Sequence, residues 1–277
     1  MRKIEAKVRF PEPGNHDRNG EGLSRRHIMT AVEASLRRLR TDYIDVYTMA
    51  GLDPLTPLKE TLRALDDLVT AGKVRYLGLT NFPAWMIMKS LAVSDTAGSA
   101  RVIAAQYQYS LVMRDIEDEF VPLCLSEGVG LTCWGPLGGG FLTGKYTRDH
   151  HLASTAPGRI ADTADSAEEA WDRRNTDTNW RTMEQVVTVA DARGASPSQV
   201  AIAWLRAQPG VASVILGTRL MRQLEDNLAA GDLDLSSEEL QALSVASAPP
   251  QRYPYRFISI SAQRSPNPAP ASQEPVL

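Results

Sequence analysis

Apolar positions along the chain fall into short continuous runs that take turns with helical stripes, and the clearest case lies between Thr41 and Asn81. Tyr43-Ile44-Asp45-Val46-Tyr47 is a β-branched and aromatic run, the mark of a mostly buried strand. Leu52-Asp53-Pro54-Leu55-Thr56-Pro57 is rich in turn residues. Thr56 suits a helix N-cap, and Pro57 suits the first helical position, where a missing N–H costs nothing. Leu58, Leu62, Leu65 and Leu68 recur at spacings of four, three and three, one face of a helix, and Gly72 stops it. Val74-Arg75-Tyr76-Leu77-Gly78-Leu79 is a second strand, ending in Thr80-Asn81. Strand, crossover helix and strand in one direction make a right-handed βαβ unit. Ligands of parallel sheets sit beyond the carboxyl ends of the strands, so Met49-Ala50-Gly51 and Thr80-Asn81 are expected on the functional face.

The same alternation continues on both sides. Further strands are expected over residues 4–10, 101–106, 129–134 and 212–216. Ser24 caps a helix whose apolar face is Ile28, Val32, Leu36 and Leu39. Other helices are expected over residues 85–91, 116–126, 180–193, 196–207 and 223–230, and Ser236 with Glu239 forms a capping box that opens a last one. Residues 148–177 form a long polar loop of the kind that covers a site. From Pro249 the chain is a tail, with five prolines after Tyr253, and is expected to be irregular. Glu117, Asp118 and Glu119 read as a solvated helix face. The count is six βα units, the pattern of a TIM-type (β/α) barrel over residues 1–248 with residues 249–277 appended.

Composition narrows the function classes. The chain has 277 residues, 43% of them hydrophobic and 23% charged, with a formal net charge of −3. That balance points to neither nucleic acid nor an anionic membrane. Eighteen consecutive apolar residues do not occur, and Met1-Arg2-Lys3-Ile4-Glu5 lacks the apolar centre of a leader, so a cytoplasmic protein is expected. The two cysteines, Cys124 and Cys133, read as small buried apolar residues, and His150 with His151 as loop residues, so no metal site is expected. Trp171, Trp180 and Trp204 read as packing anchors or lid contacts.

Several motifs recur together: Gly22-Leu23-Ser24-Arg25-Arg26-His27-Ile28, Thr41-Asp42-Tyr43-Ile44-Asp45, Ala71-Gly72-Lys73-Val74-Arg75-Tyr76-Leu77-Gly78, Gln106-Tyr107-Gln108-Tyr109-Ser110-Leu111, Pro136-Leu137 with Gly140, Gly144-Lys145-Tyr146, and Gly217-Thr218-Arg219 with Gln223 and Asn227. In this order they resemble the aldo-keto reductase family, in its bacterial and potassium-channel-β-like branch. The resemblance implies a (β/α) barrel that uses NADP(H) to reduce a carbonyl group of a small molecule. Lys7 matches the catalytic lysine. Thr80, Asn81 and Gln106 match residues that bind the nicotinamide carboxamide, and Trp134 matches the aromatic on which the ring stacks. Gly135, Pro136, Leu137 and Gly140 match the loop over the pyrophosphate. Gly217, Thr218, Arg219, Gln223 and Asn227 match the grip on the adenosine 2′-phosphate and adenine. The residue types suit these tasks: glycines let phosphate approach free amides, a helix start favours an anion, and Arg219 offers a forked cation.

The resemblance also implies losses. The chain begins at the family's third strand, without the stretch of about a quarter that supplies two strands and the catalytic aspartate and tyrosine; a start codon set too far downstream is the mundane alternative. Ala50 stands where the family has a histidine. Losing the acid costs ~10²–10⁴ in rate, so the catalytic set is degenerate, and Tyr47, Asp53, Tyr107 or a partner chain is left to supply a proton. Three readings follow: an NADP(H)-dependent oxidoreductase, a repurposed cyclase, lyase or isomerase on the same barrel, or a non-catalytic NADP(H)-binding subunit. Six strands leave open edges at both ends, so the strands either draw into a smaller barrel or are covered by a homo-oligomer.

Overall fold

The computed structural model describes residues 3–11, 17, 19–148 and 171–263. Six strands form one sheet in chain order: β1 (Glu5–Val8), β2 (Ile44–Ala50), β3 (Val74–Thr80), β4 (Val102–Gln108), β5 (Gly130–Trp134) and β6 (Val211–Val214). The β1/β2, β2/β3 and β3/β4 pairs are parallel, with helices in the crossovers, the α/β architecture expected of a TIM-type barrel. The chain divides into two compact units, residues 1–107 with 123–132, and residues 108–122 with 133–277.

In the first unit, β2, α2 (Leu58–Thr70) and β3 form the expected βαβ unit. Leu62, Leu65 and Leu68 are all 3% exposed or less, each worth roughly 1.5–3 kcal/mol of burial. Pro57, not Thr56, takes the N-cap position, because the Thr56 hydroxyl donates to the Asp53 carboxylate at 2.7 Å. Ser24 caps α1 (Arg25–Leu39) by accepting from the His27 N–H, and Ile28, Val32 and Leu36 are buried; Leu39, expected in that stripe, is exposed. Helix α3 (Ala84–Ala97) runs six residues past its expected end. Its buried face includes Ser90 and Ser94, whose hydroxyls donate to the carbonyls of Met86 and Ala100, so polarity hid the stripe. Cys124, in α4 (Phe120–Glu127), is buried as expected, and so is Cys133.

The second unit holds a 3-10 turn over Gly138–Thr143, then α5 (Trp171–Arg174), α6 (Asp177–Arg193), α7 (Pro197–Arg206), β6, α8 (Met221–Ala229), α9 (Ser237–Ala246) and α10 (Tyr255–Gln263). Trp204 is fully buried and donates from its indole N–H to Ser244, and Trp180 stacks at 4.8 Å on Phe141, so both are packing anchors. Two expectations need correcting. Glu117 is not a solvated charge: it takes both arms of the Arg114 guanidinium and the Tyr109 hydroxyl. The tail contains α10, because the first of the five prolines after Tyr253, Pro254, only precedes the helix, while Tyr255 is tied to Glu119 and Arg252 to Asp115. His150 and His151, and most of the polar loop over residues 148–177, lie outside the described residues.

Candidate active site

Alternation along the strands sorts the first unit's side chains onto two faces. One face is apolar and packed: Val8, Tyr47, Met49, Leu77, Leu79, Ala105 and Tyr107 are all buried. The other is polar. Register pairs Lys7 with Thr48, Ala50 with Thr80, and Thr80 with Gln106, which sets these positions in adjoining rows at the carboxyl ends of β1 to β4. Gly78 keeps this face open, since a Cβ there would lie 2.6 Å from the Thr48 hydroxyl oxygen.

Gln106 is the hub of the polar face and is 2% exposed. Its Oε1 accepts from the Lys7 ammonium. Its Nε2 donates to both carboxylate oxygens of Glu5, at 2.9 and 3.1 Å, and lies 3.5 Å from the Thr132 hydroxyl. The Thr48 hydroxyl donates to the same Glu5 carboxylate at 2.9 Å. Lys7 and Glu5 themselves are exposed. Lys7 and Gln106 are thus brought together, whereas Glu5, Thr48 and Thr132 escaped the sequence reading. Glu5 had a signal: two residues before Lys7 on a strand, it must share its face.

Thr80 is buried and Asn81 exposed at the turn that follows. Asn81 has φ 58°, a left-handed conformation that asparagine tolerates better than most residues. Its identity therefore answers a backbone demand as well as any binding role.

Of the three side chains named as substitute proton donors, Tyr107 and Asp53 are hydrogen-bonded within the protein, and the Tyr47 hydroxyl is buried with no partner among the described residues. Tyr47 and Tyr107 lie on the apolar face, and burial pushes both hydroxyls up, away from ionisation. Tyr107 also donates to the Phe82 carbonyl at 2.6 Å. Asp53 accepts from the Leu23 and Leu55 N–H groups and the Thr56 hydroxyl. Its partial burial favours the protonated form, but these donors, with the Arg9 charge, outweigh it and hold the carboxyl below its usual range.

The second unit carries the rest of the expected binding residues. Trp134 ends β5, half-buried, and its carbonyl accepts from the Tyr109 N–H. The loop that follows has Gly135, Gly138, Gly139 and Gly140 all at positive φ, a path only glycine follows without strain. A Cβ on Gly138 would come 2.5 Å from Val112, and one on Gly140 would come 3.3 Å from the Lys145 ammonium. Lys145 thus places a cation beside this loop. Pro136 is buried and Leu137 half-buried within it.

Farther on, Gly217 is open: a Cβ there would meet nothing within 4 Å. Thr218 is half-buried, and Arg219 is exposed at the start of α8. The Gln223 side chain accepts from the Arg219 N–H at 3.2 Å, so it serves the turn itself, and Asn227 is 5% exposed. Helix α8 is fixed by Asp226, which accepts from Ser196 and Gln199 at the start of α7, both at 2.9 Å.

These features can be set beside known proteins. The sequence model of the aldo/keto reductase family matches residues 3–247. A probable voltage-gated potassium channel subunit beta of Arabidopsis thaliana is 34% identical over 83% of this chain and 68% of its own length. Versiconal hemiacetal acetate reductase of Aspergillus parasiticus is 32% identical, over 88% of this chain and 71% of the relative. The uncharacterized oxidoreductase YrpG of Bacillus subtilis is 33% identical, over 87% and 69%. With a family match across all six described strands, relatives named as reductase and oxidoreductase, and the parallel sheet that the family requires, this chain belongs to the aldo/keto reductase family.

Proposed function

We propose that this chain is an NADP(H)-binding oxidoreductase that acts on a carbonyl group of a small molecule with a reduced catalytic set. The observation that carries the proposal is the Lys7–Gln106–Glu5 set, hydrogen-bonded on the polar face beside Thr80. The residues fit the cofactor. The glycine loop from Gly135 to Gly140 has no room for side chains at Gly138 and carries Lys145 beside it, as a diphosphate requires. Arg219 at an α8 start without a side-chain cap suits the 2′-phosphate. By the family resemblance, Thr80, Asn81 and Gln106 in the first unit match contacts to the carboxamide; in the second unit Trp134 matches the contact to the ring, and Gly217, Thr218, Gln223 and Asn227 match the adenosine end.

A bound nicotinamide would supply the hydride. The chain's own residues then have to orient the carbonyl and place positive charge where negative charge develops on its oxygen. Lys7 holds a proton at Nζ and is the cation of this face. Gln106 fixes the ammonium through its Oε1, and Glu5 fixes Gln106 through its Nε2, so Glu5 acts as a positioning residue. Ala50 adds no donor, which favours slow turnover rather than the full rate of a complete set. Assembly belongs to the same proposal: a second copy of the chain covers the outer edge of β1.

Titration with NADPH, followed by quenching of tryptophan fluorescence, tests the cofactor. Saturable micromolar binding, weakened about tenfold or more in Arg219→Ala, is expected from loss of a charge-assisted phosphate contact. No quenching up to near-millimolar NADPH, from a chain shown to be folded, sinks the proposal.

A further inference from the structure

Gln108 stands two residues after Gln106, at the end of β4, in the second unit. It is 8% exposed, and its Nε2 has no hydrogen-bond acceptor among the described residues. A buried amide N–H left unpaired costs roughly 1–3 kcal/mol, so such a group normally has a partner. The side chain lies along the glycine loop. A Cβ built on Gly135 would sit 3.3 Å from its Cγ and 3.4 Å from its Nε2. Gly135, at φ 67°, therefore both turns the chain and leaves room for this amide. Among the described residues no group consumes the donor, and the loop it lies against is the one whose glycines and Lys145 suit a diphosphate.

We infer that Gln108 is a ligand-contacting residue, whose Nε2–H donates to a diphosphate oxygen of the nicotinamide dinucleotide held at the Gly135–Gly140 loop. The inference rests on the cofactor reading above and adds to it a contact that the family motifs do not assign. An anionic acceptor satisfies the buried donor and gains a charge-assisted bond, so apoprotein instability is exchanged for affinity. Gln108→Glu keeps the shape but sets a carboxylate against the phosphate. Gln108→Met keeps the length and removes the donor.

The test measures dissociation constants for NADPH and for adenosine 2′-monophosphate in the wild-type chain and both variants, with the melting temperature of each apoprotein. Adenosine 2′-monophosphate reaches the Arg219 end and lacks the diphosphate. The expected result for Gln108→Met is NADPH binding weakened about 10- to 100-fold. Adenosine 2′-monophosphate binding should stay unchanged, and the apoprotein should melt no lower than wild type. Gln108→Glu should weaken NADPH further. Unchanged NADPH affinity in both folded variants overturns the inference while the cofactor reading stands. Equal losses for both ligands with a lowered melting temperature mark a structural residue and also overturn it. A wild-type chain that binds no NADPH sinks both.

Discussion

At the scale of single residues, the polar face is a matter of what each group is bonded to. Lys7 was legible because its type and place matched a family motif. Glu5 was legible only as far as the face it shares with Lys7; its role depends on Gln106, 101 positions away, and no local pattern announces that pair. Tyr47 and Tyr107 show the reverse. A tyrosine in a strand near a site looks chemically available until the pleat sends it to the apolar side. Asp53 carries a prediction that follows from its donors. Its folded-state carboxyl titrates below its unfolded value, so the stability it adds is present above about pH 3.9 and is lost as pH falls through the folded value. Asp53→Asn removes that dependence. Thermal melts between about pH 5 and pH 2 should fall more steeply for wild type than for Asp53→Asn; parallel curves would show that the carboxylate contributes nothing.

At the scale of elements, caps and stripes did most of the locating. The Ser236–Glu239 capping box opens α9 with both reciprocal bonds formed, and Glu239 also takes both arms of Arg193, which with the Ser236 N–H draws its carboxyl down to about 2. Ser236→Ala should lower stability by about 1 kcal/mol, read as a shifted urea midpoint with an unchanged slope. A change within error would mean that the Arg193–Glu239 pair holds the helix start alone. The misses were one boundary and one whole element. Helix α3 outran its expected end because buried serines return their hydroxyls to backbone carbonyls and so do not look apolar. Helix α10 was hidden by proline counting, although four of the five prolines lie beyond its last residue.

At the scale of the whole molecule, the open question is the edge of β1. Among the described residues this strand pairs with β2 alone. Ile4 gives its carbonyl to Val46, so backbone alternation turns the Glu5 and Lys7 groups outward. Sedimentation should show a homo-oligomer for the wild-type chain and a smaller species for Glu5→Pro, which deletes one outward N–H and is tolerated at an edge. A wild-type monomer at tens of micromolar would refute the covered edge. Exposed charged side chains on an edge also discourage indiscriminate pairing, so aggregation without a defined size is not the expected outcome.

The sequence alone determined the periodicity, and with it the six strands, the crossover helices, the caps at Ser24 and Ser236, and the family. Those are local facts: spacing, residue type and turn chemistry act within a few residues of one another. Only the tertiary structure decided which polar groups share a face, which are already bonded and which are left over. It bound Gln106 to both Lys7 and Glu5, set Tyr47 and Tyr107 on the apolar face and Asp53 among backbone donors, and left the Gln108 amide buried without an acceptor among the described residues. The physical reason is that strand register, set by long-range backbone pairing, fixes the neighbours of every side chain, and burial then decides what each neighbour is worth.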